Sequence, residues 1–254
     1  MSAILEASDL TKTYRNGHRA VSEVSFRVER GRTLGIVGES GCGKSTTAKI
    51  VLGLLPADSG TVTVAGRVVR TRADLRAARR LMQLVPQNPR TSFNPRLTIG
   101  ASMAFNLASQ GWPRDGRRAR ILAMLDRVSL GARHADAYPH QLSGGQLQRA
   151  AIARALVTEP EVVVCDEAVS ALDKSVQAQV LNLLADLQRD LGLTYLFISH
   201  DLDVVEHISD DLVVMLAGEI VERGPARDLY ERPQHPYTAT LLHSIPGRES
   251  SAST

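Results

Sequence analysis

Residues 38–45 read Gly-Glu-Ser-Gly-Cys-Gly-Lys-Ser, which is the spacing G-x-x-x-x-G-K-[ST]. The apolar run "TLGIV" precedes them and the helical pattern "TTAKIVLGLL" follows. Strand, glycine loop, helix is the setting in which this spacing wraps a phosphate. Glycines, having no Cβ, let successive N–H groups converge on an anion. Lys44 brings a point charge to β- and γ-phosphate oxygens, and the Ser45 hydroxyl is a hard oxygen ligand of the kind Mg²⁺ takes. A chain built round this loop is committed to an α/β layer structure whose strands end at the ligand.

The rest of the sequence alternates accordingly. "GTVTVAGRVV" pairs two short strands about Ala65-Gly66, and "RRLMQLVPQ" is a short strand ending at Pro86. From about Asn88 to Pro160 the pattern turns mostly helical; "IGASMAFNLASQ" and "GRRARILAMLDRVSL" carry apolar faces at helical period. "EVVVCDE" is a continuous apolar run, as in a strand buried on both faces. "SVQAQVLNLLADLQRDLG" is an amphipathic helix closed by Gly192. "LTYLFISHD" is another buried strand, and "DLVVMLAGEIVERG" is a hairpin turning at Ala217-Gly218. These patterns predict an α/β core with a mainly parallel sheet and an inserted helical subdomain. The last twenty or so residues, ending "GRESSAST", are expected to fray.

Composition removes other classes. Among 254 residues no stretch nears the roughly 18 uninterrupted apolar residues of a membrane span. The start "MSAILEASDL" carries no signal-peptide pattern. Two cysteines, Cys42 and Cys165, make no disulfide framework and fit a reducing cytoplasm. A net charge of +3 is too small to argue for nucleic acid. Arginines cluster at 67, 70, 72, 76, 79 and 80 and again at 114, 117, 118 and 120; they are solvated helix faces, or else a surface for anionic headgroups or an acidic partner. Cys42, beside Lys44 near a helix N-terminus, is either a thiolate reactive toward a maleimide or a small residue that merely fits the loop, whereas Cys165 in an apolar strand is expected to be inert.

Three further positions, Asp166, Glu167 and His200, are expected at the same carboxyl edge of the sheet. Asp166 and Glu167 end the strand "VVVCDE". Asp166 can hold magnesium-bound water, and Glu167 can orient or deprotonate a water beside a γ-phosphate. His200 lies just past the next apolar strand and would reach that edge, and Gln87, at the end of "LMQLVP", suits a polar sensor of γ-phosphate and magnesium. A second glycine-bearing helix start, "HQLSGGQLQRAAIARAL" at 140–156, also suits an anion, although the chain already holds a phosphate cradle.

Together these pieces resemble the nucleotide-binding subunit of an ABC transporter. The resemblance runs over nearly the whole chain, in the family's order. It implies a P-loop NTPase core with an N-terminal antiparallel β subdomain, a cassette over 1–232 with a helical subdomain about 88–158, and a tail segment over 233–254. It gives Tyr14 the role of stacking on adenine and Gly38, Glu39, Ser40, Gly41, Cys42, Gly43, Lys44, Ser45 and Thr46 that of the phosphate loop. Gln87 matches the glutamine loop, and Ser45, Gln87 and Asp166 the magnesium ligands. Glu167 matches the base and His200 the switch histidine. The "LSGGQLQR" stretch matches the family signature, where Ser143, Gly144, Gly145 and Gln146 would bind the γ-phosphate of ATP held by a second, opposed subunit. "SALD" at 170–173, with Asp173, matches the D-loop.

A narrower resemblance follows from "VPQNPRTSFNPRLTIG" and the tail "ERPQHPYTATLLHSIP", which look like the ATPases of oligopeptide, dipeptide and nickel or metal-chelate importers. Asn88 stands where many relatives carry an aspartate, and the tail has no cysteine for an iron–sulfur cluster. The implied system couples ATP and Mg²⁺ to transmembrane permease subunits, an identical or paralogous second ATP-binding subunit and an extracytoplasmic substrate-binding protein, at the cytoplasmic face of the membrane and without nucleic acid. The competing readings are a soluble ABC ATPase acting on DNA or ribosomes, and a non-hydrolysing regulatory cassette. The chain lacks the long coiled-coil insert and the second cassette of the former, and its intact Glu167, His200 and signature argue against the latter.

Overall fold

The computed structural model describes residues 2–243. Its strands are β1 (Ala3–Thr13), β2 (Arg19–Glu29), β3 (Thr33–Val37), β4 (Ser59–Val64), β5 (Arg67–Val68), β6 (Met82–Val85), β7 (Val162–Asp166), β8 (Thr194–Ile198), β9 (Asp211–Leu216) and β10 (Glu219–Pro225). Its helices are α1 (Lys44–Val51), α2 (Arg72–Leu81), α3 (Pro89–Ser92), α4 (Ile99–Ser109), α5 (Arg117–Arg127), α6 (Gly144–Leu156), α7 (Lys174–Leu191), α8 (Leu202–Ile208), α9 (Ala226–Glu231) and α10 (Pro236–His243). The chain divides into two compact units, one formed by residues 1–75 and 194–254 and the other by residues 76–193.

The first unit has two sheets. In one, β2, β1, β4 and β5 pair antiparallel in that order. Alternation buries Ile4, Leu5, Ala7 and Leu10 of β1 and Val24, Phe26 and Val28 of β2. The β1–β2 register shifts between Ala7 and Leu10, where Asp9 takes a φ of 49°. In the other sheet β3 is central, with β8 and β9 both parallel to it. All five residues of β3 and of β8 are buried, the signature of strands covered on both faces. β10 returns antiparallel to β9 through Ala217-Gly218, both at positive φ as a tight hairpin requires.

The second unit is mostly helical. β6 and β7 pair parallel, Met82 opposite Val162 and Val85 opposite Cys165. Around them stand α3 to α7 and two short 3₁₀ turns, Ala132–Ala135 and Pro139–Gln141. The core is apolar and fully buried: Ile99, Met103 and Leu107 of α4, Leu125 of α5, and Leu147, Ala150, Ala151 and Ile152 of α6. Each large side chain buried in this way contributes on the order of 1.5–3 kcal/mol. Gly192 closes α7 at a φ of 65°. The α/β class, the antiparallel sheet, the parallel pairings and the helical stretch between about 88 and 158 are therefore present.

One expectation is corrected. Fraying was expected from about residue 235, but residues 236–243 form α10, with Thr238 and Leu242 buried. The remainder of that tail, from residue 244 to 254 and including "GRESSAST", lies outside the described residues.

Candidate phosphate site

The phosphate loop follows β3 and runs into α1 in the first unit. Gly38, Gly41 and Gly43 adopt φ values of 148°, 85° and 110°, which side chains disfavour. Space adds a second requirement. A Cβ at Gly38 would lie 2.2 Å from the Met215 carbonyl oxygen, and one at Gly43 would lie 2.2 Å from that of Ala20. The loop is thus pressed against the end of β9 and the start of β2. The hairpin glycine ties it further: Gly218 N–H donates to the Cys42 carbonyl at 3.0 Å, and Ser22 N–H donates to the Gly218 carbonyl at 2.8 Å.

Gly43 caps α1 without any side-chain hydrogen bond, so the helix's positive end opens on the loop. Lys44 is buried, and its ammonium donates to the carbonyls of Gly38 at 2.7 Å and Glu39 at 2.8 Å. These bonds hold the cation inside the curl of the loop. Glu39 and Ser40 are exposed, and Ser45 and Thr46 are half-buried. Tyr14, 38% exposed, stands in the turn between β1 and β2, and its hydroxyl lies 3.2 Å from Thr46 Oγ1. The structure thus brings Tyr14 to the loop.

His200 follows β8 and is exposed. Beside it, Ser199 N–H donates to the Ile36 carbonyl of β3 at 3.2 Å, which fixes the exit of β8. Asp201 caps α8 by accepting from Asp203 N–H.

In the second unit the parallel register of β6 and β7 carries their carboxyl ends to one edge. There Gln87 Nε2 donates to Glu167 Oε2 at 2.5 Å. Glu167 has a left-handed φ of 50°, unusual for a residue with a side chain, at the point where β7 stops. Its carbonyl accepts from the Ser170 amide and hydroxyl at 3.1 and 3.0 Å, so the turn after the strand is hydrogen-bonded on both sides. Asp166 ends β7 and is half-buried.

The signature stretch is the start of a helix. Gly144 and Gly145 already belong to the first turn of α6, and Ser143 is its cap. The Ser143 hydroxyl accepts from Gln146 N–H at 3.2 Å, while Gln146 Oε1 accepts from Ser143 N–H at 3.0 Å, a reciprocal capping box. A Cβ on Gly145 would lie 2.7 Å from Val176 Cγ1, so this glycine admits α7; at Gly144 nothing lies within 4 Å. Asp173 caps α7, accepting from Val176 N–H at 2.9 Å and Ser175 Oγ at 2.8 Å. The Val176 amide and then the Ser175 hydroxyl hold its carboxyl below the usual carboxylate range.

Of the two readings of Cys42, the accessible, reactive thiol is overturned. Cys42 is only 6% exposed, and a Cβ on Gly38 would lie 2.8 Å from its sulfur. The tight curl that serves the phosphate also encloses the thiol. Cys165 is fully buried, and burial, aided by the Asp166 carboxylate, pushes its thiol far up, in keeping with an inert residue.

Two residues were missed. Arg154, on α6, donates to the Ser92 carbonyl at 2.6 Å and to Ser92 Oγ at 3.0 Å, and stacks over Phe93 at 4.2 Å. It pins the segment after Gln87 to the signature helix. Tyr237 in α10 was read only as part of a tail motif, yet its hydroxyl accepts from Glu39 N–H at 3.0 Å. Nothing local in the sequence announces either contact.

Comparison with known proteins agrees with this geometry. The ABC transporter family profile matches residues 21–170, and the profile of the oligopeptide/dipeptide transporter C-terminal region matches residues 221–253. The oligopeptide transport ATP-binding protein OppF of Bacillus subtilis is 46% identical over 239 residues, covering 92% of this chain and 78% of the relative. Among solved structures, a component of the cbiONQ ABC transporter complex of Clostridium perfringens superposes with a TM-score of 0.82 at 28% identity, over 91% of this chain and 92% of that one. A bacterial ABC transporter cassette solved as a dimer gives 0.78 at 29% identity, over 88% and 99%.

Proposed function

The chain belongs to the ABC transporter ATP-binding family, and from that premise we propose that it is the ATPase motor of a peptide importer, driven by ATP-dependent pairing with a second ATP-binding chain. The observation that carries this reading is the cradle: a buried ammonium inside a loop whose glycines admit no side chain. Peptide cargo is supported by the match of the tail to the oligopeptide/dipeptide transporter region and by the named role of the relative in oligopeptide transport. The same matches leave the reading as a DNA or ribosome ATPase without support.

The residues divide the work. Tyr14 stacks on the base; the loop at residues 38–46 and Lys44 take the phosphates. Glu167 accepts the proton of the attacking water, and Gln87, already hydrogen-bonded to it, orients that carboxylate. His200 contacts the γ-phosphate. Ser143, Gly144, Gly145 and Gln146 address ATP held by the opposed chain, with Asp173 at the same junction.

A magnesium ion suits this donor set. Among the described residues no group of three or more His, Cys, Asp or Glu could hold a metal by itself. By the family resemblance, Ser45 in the first unit and Asp166 and Gln87 in the second would each offer a hard oxygen to an ion that brings most of its ligands as phosphate and water. When bound, such an ion would neutralise charge on the phosphates.

Among the described residues no helix is long and apolar enough to cross a membrane. Permease subunits and an extracytoplasmic binding protein complete the proposed system, with this chain at the cytoplasmic face. Phe105 on α4, 73% exposed, is the apolar side chain offered to a permease. Phe93 is not, since it is buried beneath Arg154. Reconstitution with the permease in vesicles tests the proposal: enclosed Mg-ATP should drive peptide uptake, and a crosslinker at position 105 should capture the permease. Hydrolysis that no peptide stimulates and no permease joins would overturn it.

A further inference from the structure

The C-terminal helix reaches the phosphate loop through one side chain, 198 residues away in sequence. Tyr237 accepts the Glu39 N–H at 3.0 Å. The Glu39 carbonyl accepts the Lys44 ammonium at 2.8 Å and also Cys42 N–H at 3.3 Å. The first peptide units of the loop are therefore held at both ends, by the tail on the amide side and by Lys44 on the carbonyl side. Elsewhere the loop is enclosed by Ala20, Met215 and Gly218, all core backbone. Tyr237 completes that enclosure where Glu39 and Ser40 are exposed.

The tail is itself anchored for this purpose. Glu222 on β10 accepts Gln234 N–H at 2.8 Å and His235 N–H at 3.1 Å. Burial opposes the charge on Glu222, but these amide donors outweigh it and hold its carboxyl below the usual range. His235 Nδ1 then accepts Tyr237 N–H at 3.2 Å, and Pro236 opens α10. Leu242 and Thr238 are buried. Each of these contacts fixes where the Tyr237 ring projects.

We infer that Tyr237 is a positioning residue for nucleotide binding, its hydroxyl holding the Glu39 amide so that the C-terminal helix sets the geometry of the phosphate loop. The direction of the chain at Gly38 and Glu39 decides where the next amides point. An acceptor on the Glu39 amide narrows that direction before the phosphates arrive, so less ordering remains to be done on binding. A tyrosine is a neutral hydroxyl at physiological pH, and burial raises the Tyr237 phenol further. The inference rests on the nucleotide reading of the loop.

The test is Tyr237→Phe in the full chain, with three measurements. In nucleotide-free protein, exchange of the Glu39 amide should accelerate while amides of β3 and β8 do not change. The Kd for a fluorescent ATP should rise about 2- to 10-fold, the range of one neutral hydrogen bond. The KM for ATP should rise by the same factor, with kcat at saturating ATP unchanged. A tyrosine that merely packed the tail would lower Tm and leave the Glu39 amide and KM alone. An unchanged Kd, or a fall in kcat at unchanged KM, overturns the inference. If the unsubstituted chain bound no ATP, the nucleotide reading would fall and this inference with it; accelerated exchange at Glu39 would still mark the contact as real, which separates the two failures.

Discussion

Two helix starts in this chain carry glycines, and they are built in opposite ways. α1 begins at Gly43, left-handed and with no side-chain cap. α6 begins at Ser143, whose hydroxyl and whose partner Gln146 cap each other's amides. In the first, glycine is demanded by backbone: a Cβ at Gly38 or Gly43 would strike a carbonyl oxygen. In the second, Gly145 makes room for Val176 and Gly144 faces open space. The first start is shaped by the surrounding strands and left without a side-chain cap, as the proposed phosphate receptor requires. The second is a finished terminus that presents a bare surface. A helix end whose amides are already capped keeps its dipole but has fewer N–H groups left to build an anion site alone. That contrast fits the proposed pairing of two chains, in which each signature addresses its partner's nucleotide.

The largest expected effect comes from the chemistry rather than from either helix start. Glu167→Gln keeps the shape of the residue, and its amide oxygen can still accept from Gln87. It cannot take a proton from water. Turnover should fall by at least ~10²-fold, the scale of a general base, while ATP affinity is retained. Phosphate release at saturating ATP measures the first and equilibrium titration the second. Near-normal turnover would remove Glu167 from the role.

Lys44→Ala tests the receptor half of the comparison. The ammonium is buried against two carbonyls and supplies the loop's charge. Charged hydrogen bonds contribute roughly 1.5–3 kcal/mol, so ATP affinity should drop about 10- to 150-fold. A loss of turnover with intact affinity would contradict a ground-state role for this cation.

Much of this was legible in the sequence for one reason: it is local. The strand, glycine loop and helix at 33–51, the apolar runs of β7 and β8, the Ala65-Gly66 and Ala217-Gly218 turns and the α7 closure at Gly192 all follow from neighbours within a few residues. Gln87 and Glu167 were each legible as following a short strand, but not as hydrogen-bond partners of one another. What stayed hidden depends on chain segments far apart. Cys42 looked reactive because its neighbour is Lys44, but Gly38 folds over its sulfur. Gly43 gives no sign in sequence that Ala20 lies against it. Tyr237 could be read as a tail motif, but not as an acceptor for Glu39. Arg154 drew no reading of its own, and only packing brings Ser92 and Phe93 beneath it.

The smallest effect sharpens the comparison from the other side. Ser143→Ala removes the hydroxyl that caps Gln146 N–H and leaves the rest of α6 in place. Loss of such a cap costs about 0.5–2 kcal/mol. Denaturant unfolding should show that loss, with an unchanged slope, because the surface buried on folding is the same. ATP affinity of the single chain should not move, since the proposed ligand of this helix start is held by a partner. Hydrolysis should fall at protein concentrations where chains pair, and the deficit should grow as pairing becomes more complete. The decisive measurement is therefore nucleotide titration at dilution, set beside the Lys44→Ala variant. If Ser143→Ala weakened ATP binding there as much as Lys44→Ala does, both helix starts would be serving one nucleotide within one chain. The contrast between an uncapped receptor and a capped surface would then carry no functional meaning.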